Sequence, residues 1–375
     1  MRIRLASPDI TDVEIKAVRE VLRSPHLALG PKLVAFEKKI AEAVGVCFAV
    51  ATSSGTSALH LVVRALGIGR GDEVITTPFS FIASSNCILF EGARPAFVDI
   101  EPHTLSIDPE RIEAAITPRT KAILAVDVFG HPADWPAIER IAKRHHLRLI
   151  EDSAESLGST LDGRPCGSFG DAAVFGFYPN KQITTGEGGA VVTNDAAIAK
   201  VCRSMANQGR GEGGGWLEHV RLGYNYRMDE MSAALGLAQL ERIEEILAAR
   251  ARVASWYAEA LANVEGVEPP HVAPNVTMSW FVYVVRLAQR FPEEERDRIL
   301  KGLEAHGIEC RNYFRPIHLQ PFYRELLGTR EGDFPVTESI AQRTIALPFY
   351  NRLTHDEVRF VAEVLGELVA SVGKV

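Results

Sequence analysis

A chain of 375 residues, 46% of them hydrophobic and 24% charged, is long enough to bury one large core and a smaller second one. A formal net charge of −7 argues against a nucleic-acid partner, which wants a basic face, but leaves room for a small anion in a locally basic cleft. No apolar stretch follows Met1-Arg2-Ile3-Arg4 and no apolar run is long enough to cross a bilayer, so a cytoplasmic protein without membrane contact is expected. The five cysteines (Cys47, Cys87, Cys166, Cys202 and Cys310) are scattered and never form Cys-x-x-Cys, which argues against structural zinc and a disulfide framework.

Thr11-Asp12-Val13-Glu14 spells a capping box, with Val18, Val21 and Leu22 behind it at helical spacing. A second helix is predicted from Pro31 to Val44. Leu33, Phe36, Ile40 and Val44 share one face, and Pro31 and Gly45 punctuate the ends. Short β-branched runs then alternate with helical stretches. The predicted strands are Phe48–Ala51, Glu73–Thr76, Ala96–Asp99, Ala122–Phe129, Arg148–Glu151, Ala172–Phe177 and Ala190–Thr193. The intervening helices are expected at 57–66, 80–90, 109–116 and 135–145. Such alternation means a largely parallel α/β sheet, and in such sheets ligands bind outside the carboxyl ends of the strands.

From Asp229 to Asn263 one long or kinked helical stretch is expected, with Met231, Leu235, Leu240, Ile243 and Leu247 as its stripe. It leads to a C-terminal part with a strand at Ser279–Leu287, a helix at 293–306, an aromatic loop at 312–323 and a final helix. That helix opens on the capping box Thr354-His355-Asp356-Glu357. The division expected is a large domain over 1–245 and a small one over 246–375.

Three places just after apolar runs carry chemistry. At Thr52-Ser53-Ser54-Gly55-Thr56-Ser57 a strand ends, hydroxyl residues turn the chain and a helix begins. Unpaired N–H groups at a helix start bind phosphate, although the same pattern is also an ordinary N-cap. At Leu149-Ile150-Glu151-Asp152-Ser153 a carboxylate at the end of a buried strand needs a partner, either a cap or a cationic ring nitrogen. At Phe177-Tyr178-Pro179-Asn180-Lys181 a lysine stands between two apolar runs. Desolvation favours the neutral, nucleophilic form of an amine, whereas a surface-loop lysine has no such role. Together, an anion site, a carboxylate and a lysine are what pyridoxal phosphate requires.

In order and spacing, these blocks resemble the DegT/DnrJ/StrS sugar aminotransferases, of fold-type I among the pyridoxal-phosphate enzymes. The resemblance covers nearly the whole chain. It rests on Leu29-Gly30-Pro31, Ser54-Gly55-Thr56-Ser57-Ala58-Leu59, Gly71-Asp72-Glu73-Val74-Ile75, Val98-Asp99-Ile100 and Glu151-Asp152-Ser153-Ala154-Glu155. It continues through Phe177 to Lys181, Gly186-Glu187-Gly188-Gly189, Gly223-Tyr224-Asn225-Tyr226-Arg227-Met228 and the loop Tyr313 to Tyr323. It implies a mostly parallel seven-stranded sheet flanked by helices, plus a smaller α+β domain. It also implies that Lys181 bonds the cofactor, Asp152 partners the pyridine nitrogen, and Gly55, Thr56 and Ser57 hold the phosphate. By the same resemblance Phe81 stacks on the ring, Glu155 stands near the ring hydroxyl, and Asn225 reaches the phosphate of a neighbouring subunit in a homodimer. Gly176 departs from the pattern, because many relatives have Ser there.

For the substrate, the resemblance points to Tyr313 and His318 in the aromatic loop. Arg227, with Arg311 and Arg315, is a candidate to meet a nucleotide diphosphate. His131 and Asp127 are left outside the catalytic set. The implied reaction moves an amino group from L-glutamate to a nucleotide-linked keto sugar. Transamination of another cyclic ketone, such as an inosose, would use the same motifs. A pyridoxamine-dependent sugar dehydratase on the same fold replaces the lysine with His, so Lys181 counts against it. A DNA-associated regulator conflicts with the acidic charge.

Overall fold

The computed structural model describes residues 2–211 and 218–372. Strands β1 (Phe48–Thr52), β2 (Glu73–Thr76), β3 (Arg94–Phe97), β4 (Thr120–Val126), β5 (Arg148–Asp152), β6 (Ala172–Gly176) and β7 (Gly189–Thr193) form one seven-stranded sheet in the order β1-β7-β6-β5-β4-β2-β3. Neighbours from β3 across to β6 run parallel. β7 runs antiparallel to both β6 and β1. The reason is the connection: a parallel return needs a crossover helix, and residues 177–188 supply only a loop. Lys181 lies in that loop.

The central strands are buried on both faces, as a sheet covered by helices requires. In β4, Ala122, Leu124 and Val126 face one core, shared with Val50, Leu59, Val174 and Val191. Ile123 and Ala125 face the opposite core, with Trp135 and Ile138. β4 stops at Val126, short of the expected Phe129, because residues 128–130 tighten into a single helical turn with Phe129 at φ 58°.

Helices Pro31–Val44 and Trp135–His145 fall where the apolar spacing and punctuation put them. Both capping boxes close: the Thr11 N–H donates to Glu14, and Thr354 exchanges hydrogen bonds with Glu357. The stretch from Asp229 is kinked, as Glu230–Glu241 and Ile243–Leu261 meet at Arg242. Arg242 leaves the helical conformation there, and its guanidinium bonds Glu14 at 2.7 Å.

A second core surrounds a three-stranded antiparallel sheet of β8 (Val267–Glu268), β9 (Tyr283–Leu287) and β10 (Thr344–Leu347). Tyr257, Ile299 and Val361, from the helices Ile243–Leu261, Glu293–Ala305 and His355–Val372, pack on it. The N-terminal Ile3 joins this core and pairs with Ile308. Helix Pro335–Ala341 and β10 have no counterpart among the sequence expectations. Asp99 caps that helix, accepting from the Val336 and Thr337 N–H groups at 2.9 and 2.8 Å. No helix among the described residues is long and apolar enough to cross a membrane, and all five cysteines are free thiols.

Glu230 serves two helices at once. It opens its own and caps the second helix of the chain, accepting from the Gly30, Lys32 and Leu33 N–H groups at 3.0, 2.9 and 2.8 Å. Glu230→Ala is expected to cost about 3 kcal/mol, because three N–H donors, one buried and two part-buried, lose their acceptor. Glu230→Gln, which keeps one acceptor, should cost less, and urea unfolding midpoints of the two variants check the order.

Candidate active site

Asp152 is the last residue of β5 and is buried. Its Oδ2 accepts from the Ser84 hydroxyl at 2.7 Å and its Oδ1 from the Ala154 N–H at 3.2 Å. Burial is the largest influence and lifts the carboxyl to about 6 against the opposing Ser84 and Ala154 hydrogen bonds. The charges of Glu155 and Lys181 both act on it, the first raising it and the second lowering it. The three ionisable groups therefore lie near one another at the carboxyl end of the sheet, where ligands of such sheets bind.

Lys181 is held from two sides. Its Nζ lies 3.4 Å from Glu155 Oε1 and 3.8 Å from the centre of the Phe281 ring. The side chain is 14% exposed, so the amine is mostly covered yet open to solvent. Glu155 is fixed in turn by the Phe129 N–H, which donates to Oε2 at 2.9 Å. Gln182 ties the lysine loop to the same turn, its Nε2 donating to the Glu155 carbonyl at 2.6 Å and to Ser279 Oγ at 2.7 Å.

The hydroxyl-rich turn abuts this cluster. Ser54 caps helix Gly55–Ala65, its Oγ accepting from the Ser57 N–H at 3.0 Å. Ser57 Oγ also bonds the hydroxyls of Ser53 and Ser54, at 3.1 and 2.8 Å. The first N–H groups of this helix, from Gly55 and Thr56, lack intrahelical acceptors and suit an anion. Glycine makes the juxtaposition possible. A Cβ on Gly189 would meet the Ser54 carbonyl at 2.5 Å, and one on Gly55 would meet Gly176 Cα at 3.2 Å. Gly176 itself has room, since a Cβ there would lie 3.6 Å from Ala154 Cβ. Space does not account for the absence of a serine at that position.

Segment Tyr224–Arg227 runs beside the same turn. Arg227 pairs with Thr52, and the Ser53 N–H donates to the Tyr226 carbonyl at 2.8 Å. Arg227 Nη1 donates to Asn207 Oδ1 at 3.1 Å. Tyr224 and Tyr226 stack on each other at 4.8 Å against His60, and the exposed Asn225 between them faces the other way. Phe81 presents an exposed ring just before helix Ala83–Phe90, which carries Ser84.

Tyr313 is half-buried and stacks on Phe314 at 5.1 Å; burial, then the Glu155 charge, push its hydroxyl up. It therefore borders the site. His318, the other residue expected at the substrate, sits in the short turn Ile317–Leu319 of the aromatic loop. Its ring is completely enclosed, Nε2 bonds Glu338 at 2.9 Å, and its edge packs on Phe334 at 4.7 Å. It supports the aromatic loop from behind. Arg311 is committed to Glu304 at 2.6 Å on the outer surface, and Arg315 is exposed.

Asp127 is structural: it accepts from the Ala133 N–H, the Trp135 indole N–H and the hydroxyls of Ser153 and Ser156. Glu151, Asp127 and Cys166 bring donor atoms within 4.8 Å of one another. Glu151 is already spent on the Gly167 and Phe169 N–H groups and on Ser153, so the trio knots the turn behind Asp152. His131 bonds the Pro132 carbonyl outside the cluster. Sequence reasoning missed Ser84 and Phe281. Nothing local marks either, because each meets its partner only through the fold.

The geometry can be set beside known proteins. Residues 8–366 match the model of the DegT/DnrJ/EryC1/StrS aminotransferase family. The chain is similar to the GDP-perosamine synthase of Caulobacter vibrioides, 40% identical over 370 residues and 98% of each chain. It is similar to the UDP-N-acetyl-3-dehydro-alpha-D-glucosamine 3-aminotransferase of Acidithiobacillus ferrooxidans, 36% identical over 358 residues, 95% of this chain and 94% of that one. The solved structure of Helicobacter pylori PseC, an aminotransferase involved in the biosynthesis of pseudoaminic acid, matches with a TM-score of 0.94 and 30% identity, covering 99% of this chain and 100% of that one. With the sheet, the lysine loop and the near-complete span of these matches in agreement, the chain belongs to the DegT/DnrJ/EryC1/StrS aminotransferase family.

Proposed function

We propose that the protein uses pyridoxal phosphate to move an amino group from L-glutamate to a nucleotide-linked keto sugar. The observation that carries this reading is the clustering of Lys181, Asp152 and Glu155, together with a helix start lined by Ser53, Ser54 and Ser57. The residues fit the cofactor: a buried carboxyl lifted to about 6 gains most from a cationic ring nitrogen, and the helix start gains from a phosphate. Bound there, pyridoxal phosphate supplies an aldehyde that bonds amines and a ring that accepts the electron pair released at the donor's α-carbon.

The chain's own residues do the rest. Lys181 Nζ would hold the cofactor at its aldehyde end and would move the proton taken from the donor's α-carbon. Asp152 would keep the ring nitrogen protonated. Glu155, which stands against Lys181, would hold a proton near the ring hydroxyl. The N–H groups of Gly55 and Thr56 and the Ser57 hydroxyl would hold the phosphate, and Phe81 would cover the ring. Asn225, which faces outward, reaches the phosphate of a second subunit, so two copies complete two sites. Tyr313 lines the sugar pocket and Arg227 meets the nucleotide diphosphate. The GDP- and UDP-sugar relatives support this class of acceptor.

The test is a two-step spectroscopic titration of the reconstituted protein. L-Glutamate is expected to collapse the near-visible absorption band, and a GDP- or UDP-linked keto sugar to restore it. Restoration by an inosose alone would replace the sugar reading with a cyclitol one. No response to glutamate would sink the donor assignment.

A further inference from the structure

Helix Ile243–Leu261 carries Arg250 to a position only 3% exposed. Its Nε donates to the Trp280 carbonyl at 2.7 Å and its Nη1 to Asn351 Oδ1 at 3.0 Å. Its Nη2 donates to the Phe281 carbonyl at 2.9 Å and, more weakly, to the Asn180 carbonyl at 3.4 Å. All four acceptors are neutral, and no ion pair to Arg250 occurs among the described residues. Arg296, by contrast, is equally buried but bonds Glu293 and Asp297.

A buried cation without an adjacent anion costs several kcal/mol. Stability alone would be better served by an apolar side chain, so the return is sought in geometry. A guanidinium offers donors in a rigid planar fork that fixes several acceptors relative to one another. Two of the acceptors belong to residues that adjoin the reactive amine. Asn180 immediately precedes Lys181. Phe281 carries the ring on which Lys181 Nζ rests at 3.8 Å. Trp280, whose carbonyl takes the shortest of the four bonds, sits at φ 57°, in the left-handed region that a bulky side chain seldom adopts. Asn351 passes the connection to Asp9 through a 3.1 Å hydrogen bond, anchoring the fork in the N-terminal segment.

We propose that Arg250 is a positioning residue for Lys181: its fork clamps the backbone before the lysine and the backbone of the aromatic residue beneath it, and so sets where Nζ stands relative to Asp152 and Glu155. The inference rests on the reading of Lys181 as the cofactor-bonding amine. It adds a residue that touches neither cofactor nor substrate and acts through the Asn180 and Phe281 carbonyls.

The test compares Arg250→Lys, which keeps a charge but loses the fork, with Arg296→Lys, which removes a buried fork remote from Lys181. The first readout needs no cofactor: the rate of Lys181 modification by cyanate in the cofactor-free protein, followed by peptide mass spectrometry well below the melting temperature. Loss of the clamp is expected to raise that rate about tenfold in Arg250→Lys through local opening, and to leave it unchanged in Arg296→Lys. The second is the L-glutamate half-reaction of the reconstituted protein. Its maximal rate should fall about 10- to 100-fold in Arg250→Lys with a smaller change in half-saturating glutamate, since a misplacement of about 1 Å carries a penalty of that size. If Arg250→Lys does not fold, Asn351→Ala removes one anchor of the fork and should show the same pattern in smaller measure. Equal labelling and equal half-reaction rates in variants of matched melting temperature would overturn the proposal and leave Arg250 a structural residue. A wild type that forms no band with pyridoxal phosphate, yet shows the labelling difference, would sink the cofactor reading and spare the clamp.

Discussion

Lys181→Arg is expected to lower amino transfer by about 10⁴-fold or more while leaving the chain folded. Arginine keeps the positive charge, so the contact with Glu155 and the seat over the Phe281 ring are both retained in kind. What is lost is the chemistry. A guanidinium stays protonated and cannot attack an aldehyde carbon or accept a proton from an α-carbon at neutral pH. The measurements are the near-visible band on adding pyridoxal phosphate, covalent trapping by borohydride, and turnover. The variant should show no trapping at position 181, a melting temperature close to that of the wild type, and no measurable turnover. Retention of more than about a hundredth of wild-type turnover would remove Lys181 from the reaction, since even one lost general acid–base contribution exceeds that factor. A collapsed melting temperature would instead assign the lysine to the packing between β6 and β7.

How much of this was legible in the sequence depends on how local the cause is. The helices Pro31–Val44 and Trp135–His145 announce themselves because their caps and stripes lie within their own residues. The reversal of β7 is less legible, since strand direction is decided by the connection rather than by the strand. Helix Pro335–Ala341 escapes entirely: it has seven residues, and its capping carboxylate is Asp99, 238 positions from Thr337. The same division runs through the site. Lys181 and Asp152 each stand just after a buried apolar run, and the run is visible. Ser84, which bonds Asp152 across 68 positions, and Arg250, which reaches Asn180 across 70, have no local mark. His318 is legible as part of an aromatic loop, whereas its packing on Phe334 and its bond to Glu338 come from the fold.

Asp152→Asn should make the cofactor-free protein more stable at neutral pH and the loaded enzyme about 10²- to 10³-fold slower. Both effects come from one cause. Burial raises the folded-state pKa of Asp152 to about 6, above its ordinary value of 3.8. Between those values the folded chain binds more protons than the unfolded one, so stability falls as pH rises from about 4 to about 6. Above that window the full penalty remains, on the order of 3 kcal/mol for a carboxyl raised from 3.8 to about 6. Asparagine has the same shape, can still accept from the Ser84 hydroxyl, and carries no charge to desolvate. The melting temperature of the cofactor-free variant should therefore exceed that of wild type at pH 7.5, with the difference closing by about pH 4 as the aspartate of the wild type takes up its proton. With a cationic ring nitrogen beside it the balance inverts, because the carboxylate then has a partner that asparagine cannot replace. Pyridoxal phosphate should accordingly raise the melting temperature of wild type by more at pH 7.5 than at pH 5, while the gain in Asp152→Asn should be small and nearly independent of pH. A variant stabilised by the cofactor as strongly as wild type across that range would place the ring nitrogen elsewhere and leave Asp152 a partner of Ser84 and Ala154 only.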